Sequence, residues 1–121
     1  MKIRLLAFIL LAGCANHDVG NPAREVAMDV ACDRCGKERP DMFWFRELVD
    51  KAEEEDSWKG TIYAGSLENA VIIIHQPLIS SCLGCQIYDC DGNRLTLTSV
   101  QLQAAVGQMT EANKIFSSSL D

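Results

Sequence analysis

Six cysteines carry most of the chemistry this chain could do: Cys14, Cys32, Cys35, Cys82, Cys85 and Cys90. Cys32-Asp-Arg-Cys35 and Cys82-Leu-Gly-Cys85 are two C-x-x-C units, and three kinds of chemistry use that spacing. In an oxidising compartment thiols pair, and a small domain gains stability from the cross-links. If residues 85–90 are extended, Cys85 and Cys90 point to opposite faces and lie too far apart to bond. Cys82–Cys85, Cys32–Cys35, or cross-links between the N-terminal segment and the sheet then remain open. Two C-x-x-C units could instead give four thiolates to tetrahedral zinc, with His17 and His75 as further ligands. Residues 36–81 separate the two halves, more than a compact zinc ribbon needs. Thiol–disulfide exchange is the third reading. It wants a long helix straight after the motif, whose N-terminus lowers the thiol pKa, whereas Tyr88–Asn93 turns almost at once. Neither unit is followed by His, so haem attachment is excluded.

Other chemistry is sparse. Asp89, Asp91 and Asn93 alternate like the start of a calcium loop, but Gly92 comes too early and no bidentate Glu follows. A hairpin turn accounts for them better. The chain has no G-x-S-x-G, H-E-x-x-H or phosphate-loop motif. No recognisable pair of carboxylates is set up for acid–base work. No catalytic residue is therefore expected, and thiol–disulfide exchange is the one activity kept open.

The elements that would hold these cysteines follow from periodicity. Residues 15–40 are polar and aperiodic, and read as a mobile tether with a short strand or turn near Val26–Ala31. From Asp41, an expected N-cap, Met42, Phe45, Leu48, Val49 and Ala52 recur at helical spacing. Arg46/Asp50 and Glu47/Lys51 could pair at i,i+4 on the outer face. The run Glu53–Asp56 should fray the helix C-terminus, and a solvated face explains it better than a cation site. "GTIYAG" and "AVIIIH" read as strands joined by a turn over Ser66–Asn69, and Ile72, Ile73 and Ile74 in succession predict a central strand covered on both faces. "CQIYD" and "RLTLT" are expected as the third and fourth strands. Thr98 or Ser99 should cap a second helix with Leu102, Ala105, Val106 and Met109 on one face, and "NKIFSS" is a last edge strand or an extended tail. The sum is an α+β domain: an antiparallel four-stranded meander with one or two helices packed on one face.

The chain start explains Cys14. Lys2 and Arg4 precede the apolar block Leu5–Ala12, which is too short for a bilayer span of about 20 residues and has the layout of a signal peptide. Leu11-Ala12-Gly13-Cys14 resembles the lipobox of bacterial lipoproteins. The resemblance implies cleavage before Cys14, a diacylglycerol thioether on its sulfur and acylation (palmitate, for instance) of the new amine. Two or more acyl chains hold a protein stably where one does not. Ala15 at the next position, by the same resemblance, implies the outer membrane. Residues 42–95 are also similar to small lipoprotein domains of Gram-negative envelopes that carry no established activity, which implies a location and no mechanism. The expected organisation is thus a signal peptide over residues 1–13, a lipidated N-terminus and tether over 14–40, and a small α+β domain over 41–121.

Loss of residues 1–13 would leave nine basic against 17 acidic residues, a net charge near −8. That excludes nucleic acid as a partner and gives no electrostatic adhesion to anionic lipid. The expected partner is membrane lipid through acylated Cys14. The expected role is a non-enzymatic structural or interaction domain of the cell envelope, without a cofactor. The alternative is a redox or zinc-binding protein working through Cys32, Cys35, Cys82, Cys85 and Cys90.

Overall fold

In the computed structural model, which describes residues 21–82 and 86–120, Asn21 accepts a hydrogen bond from the Arg24 amide and Pro22 takes the first helical turn. Both are helix-start signals, and they open α1 (Pro22–Cys35). This replaces the tether expected at 15–40 over its second half, and the strand or turn expected near Val26–Ala31. The buried stripe of α1 is Ala27, Met28, Ala31 and Cys32, with Glu25 among them. Small side chains and a carboxylate hide a helical period from any hydropathy reading. Glu25 is buried against two cations, with Arg39 Nη2 2.7 Å away and Arg24 Nε 3.4 Å away; an unpaired charge there would be costly.

A 3-10 turn over Arg39–Met42 leads into α2 (Phe43–Glu54). The cap position belongs to Met42, which makes no side-chain cap bond, so Asp41 is not the N-cap. Phe45, Leu48, Val49 and Ala52 are buried as their spacing predicts, with Met42 just before them. Asp50 accepts from Arg24 of α1 at 2.9 Å, and Lys51 sits over the Trp58 ring. Both side chains therefore reach other elements.

β1 (Gly60–Leu67) and β2 (Ala70–Pro77) form an antiparallel hairpin. Glu68 and Asn69 close it with φ of 51° and 68°, the positive pair of a two-residue type I′ turn. β3 (Ile87–Tyr88) joins β2, and β4 (Lys114–Ser117) joins β1, in the order β3-β2-β1-β4. The architecture is an α+β fold with a four-stranded antiparallel sheet. "RLTLT" is not the fourth strand. Arg94 makes a single bridge to Tyr88, and Leu95 and Leu97 then lie half-buried against the sheet face without a ladder. The tail segment supplies β4 instead.

Alternation divides the core. Ile62, Ala64, Ile73 and Phe116 face α1 and α2, whereas Ile72, Ile74 and Ile87 face the other side. There they meet Ala105 of α3 (Ser99–Val106). The expected helix after Thr98 thus exists, but on the opposite face from α1 and α2. Thr98 and Gln101 form a reciprocal capping box at its start. Among the described residues no helix is long and apolar enough to cross a membrane.

Candidate functional site

α1 ends at Cys35 because Gly36 follows in the left-handed region, φ 65°, with its amide and that of Lys37 returning to Asp33 and Cys32 carbonyls. This stop aims Cys35 at the turn after β3. Its sulfur is bonded to Cys90, with Cα atoms 5.7 Å apart and a sequence separation of 55. The bridge is a cross-link between the N-terminal helix and the sheet. Cys32 is buried on the inner face of α1 and Cys82 is exposed after β2; both are also disulfide-bonded. Cys14, His17 and Cys85 lie outside the described residues. A sulfur held in a disulfide is no thiolate, so Cys32, Cys35, Cys82 and Cys90 offer zinc no ligand in this form. Among the described residues no group of three His, Cys, Asp or Glu could hold a metal ion.

The turn beside Cys90 is closed by Asp89. Its carboxylate accepts from the amides of Asp91 and Asn93, both at 2.9 Å, and from Asn93 Nδ2. Gly92 takes φ 87°, while Asn93 needs no positive φ. Burial pushes the Asp89 carboxyl up, but the amide hydrogens of Asn93, Asp91 and Gly92 outweigh it and hold the pKa below its ordinary value. The alternating Asp-x-Asp-x-Asn run therefore spends its first carboxylate on the turn. Lys37 reaches Asp91 across the bridge, and that bond raises the Lys37 pKa.

Trp44 is fitted against this turn. Its Nε1 donates to the Cys90 carbonyl at 3.1 Å, its ring lies 5.6 Å from Tyr88, and a Cβ on Gly92 would come within 2.6 Å of it. Beside it opens a shallow groove of about 160 Å³, walled by Trp44, Leu48, Trp58 and Tyr88. Glu47 and Lys51, one turn apart on α2, form its charged rim. Lys51 Nζ stands 4.8 Å above the Trp58 ring, a cation–π contact. Burial raises the Tyr88 phenol, with Arg94 acting the other way. The groove presents an aromatic and apolar wall to a small ligand, with one anion and one cation at its rim to orient it.

His75 lies behind Trp58, stacked at 5.3 Å with 9° between planes. It is fully buried. Nε2 is 2.7 Å from the Trp58 carbonyl and Nδ1 is 2.9 Å from the Gln86 side-chain amide. Both nitrogens are thus engaged, and His75 works as a hydrogen-bonded core residue.

Cysteine spacing alone did not reveal Trp44 and Trp58. One signal was present: Trp44 falls off the stripe of Met42, Phe45, Leu48, Val49 and Ala52, and a large aromatic off the buried stripe needs a second surface to cover it.

The fold and the groove define a class, a small disulfide-linked α+β domain. Comparison with known proteins goes no further: no family model matches the chain, and no curated protein or solved structure shows significant similarity to it.

Proposed function

We propose that this chain is an exported lipoprotein of the cell envelope, anchored by acyl chains on Cys14, whose α+β domain serves a non-enzymatic structural or interaction role. One observation carries the reading: a short apolar run behind Lys2 and Arg4 ends in Leu11-Ala12-Gly13-Cys14. The Cys35–Cys90 bridge supports it, because disulfides persist in exported proteins and are rare in reducing compartments. The aromatic-walled groove supports the interaction role. The outer membrane is the proposed location, from Ala15, and membrane lipid is the proposed partner at Cys14.

The rival reading, a redox- or metal-active thiol protein working through Cys82 and Cys85, with or without Cys32 and Cys35, loses ground at the Cys32-x-x-Cys35 unit, because Cys35 is bonded to Cys90 and not to its neighbour in the motif. Replacement of Cys14 by Ser tests the anchor. The parent should incorporate labelled palmitate, lose residues 1–13 and sediment with membranes. Cys14→Ser should do none of these. Equal labelling and equal sedimentation of the two chains overturn the reading.

A further inference from the structure

The sheet has two ends, and the tether enters at one of them. Asn21, the cap of α1, bonds to Glu53 near the end of α2. Gly60 opens β1 opposite Pro77, where β2 finishes. Ser118 donates its amide to Gly60 and its hydroxyl to Ala52, and Leu78 donates its amide to Lys59. Asn21, Pro77–Ile79 and Ser118–Leu120 therefore share one end of the domain. The Glu68-Asn69 turn, Val71, Cys90 and the start of α3 share the other, joined by Cys90 Sγ near the Val71 carbonyl and by Gln101 bonded to Glu68.

Large apolar side chains stand out at the tether end. Ile79 is 63% exposed, Leu78 53% and Leu120 44%. None is needed for the core, and each lies beyond the last paired residue of its strand. Residues 15–21 are all that separate Cys14 from α1, and they reach at most about 25 Å. An anchor at Cys14 therefore keeps this end within about 25 Å of the bilayer.

We propose that Leu78, Ile79 and Leu120 form the face by which the domain rests on the lipid surface, dipping into the headgroup region. The inference rests on the lipid-anchor reading. Charge decides the kind of surface. Glu53 and Glu54 close α2 at the same pole, Glu55 and Asp56 follow directly, and the four would be repelled by anionic lipid. Zwitterionic headgroups are the matching contact, and apolar insertion supplies the attraction.

Two tryptophan reporters test it in the full acylated chain, reconstituted into phosphatidylcholine vesicles with and without brominated acyl chains. Ile79→Trp reports the tether end; Val100→Trp, at a 76% exposed position on α3, reports the far end. Trp44 and Trp58 give the same background in both. A side chain about 5–10 Å inside the boundary should shift to the blue and lose roughly half its emission to bromine, whereas Val100→Trp should be unaffected. Floating protein with no quenching of Ile79→Trp, or equal quenching of both reporters, overturns the orientation and leaves the anchor standing. A blue shift that grows with protein concentration and ignores bromine places a second copy on this face and also overturns it. Failure of the parent chain to float with vesicles overturns the anchor, and this inference with it.

Discussion

At the scale of single residues, the turn at 89–93 shows how much one backbone angle can hold. Gly92 combines a positive φ with a close approach to Trp44, while Gly36 has a positive φ but open space around its missing Cβ. Gly36→Ala should therefore cost only the left-handed penalty, about 1–2 kcal/mol. Gly92→Ala adds displacement of the Trp44 ring and should cost about 2–4 kcal/mol, read from urea unfolding of the two variants. Asp89 makes the same turn sensitive to acid. Its folded pKa lies below the ordinary value, so its contribution is present above the unfolded pKa of about 4 and is lost as pH falls through the folded value. The stability gap between parent and Asp89→Asn should be open at neutral pH and close in acid. A gap that widens in acid would contradict the hydrogen bonding described.

At the scale of elements, α1 is held at its two ends. Asn21 both caps it and binds Glu53, so Asn21→Ala should cost about 1–2 kcal/mol and speed amide exchange in the first turn of α1. At the other end the Cys35–Cys90 bridge closes a loop spanning α2, β1 and β2. Cross-linking residues so far apart restricts the unfolded chain, and the Cys35→Ala/Cys90→Ala double variant should lose about 2–4 kcal/mol, seen as a lowered thermal midpoint. Parent protein in strong reductant should fall at least as far, because the bonds at Cys32 and Cys82 open as well. The same bridge keeps Cys90 and its carbonyl in reach of Trp44, so the aromatic groove should loosen in that variant, visible as a red shift of tryptophan emission.

At the scale of the whole molecule, cysteine parity and the membrane anchor are one question. Acylation of Cys14 leaves five cysteines, so a monomer closes at most two bridges and keeps one thiol. Without it six cysteines can close three. Thiol alkylation and intact mass of the purified chain should find one reactive thiol and two bridges, one of them Cys35–Cys90. Three bridges and no thiol would contradict the anchor.

The strands β1 and β2 and the buried stripe of α2 were legible in the sequence, because strong periodicity acts over neighbouring positions. So was the capped start of α3. The turn expected over Ser66–Asn69 narrows to Glu68 and Asn69, since β1 runs on through Leu67. What the sequence left open was set by contacts between distant segments. α1 is made a helix by ion pairs with Arg39 and Asp50 and by packing of small side chains on the sheet. Lys114–Ser117 becomes the fourth strand, ahead of the more regular "RLTLT", because β1 offers it a free edge and lets Phe116 join the main core. Cys35 finds Cys90 only because α1 ends beside the turn at Asp89–Asn93. Local pattern specifies local geometry; which sulfur, edge or ring meets which is decided by burial across the whole chain.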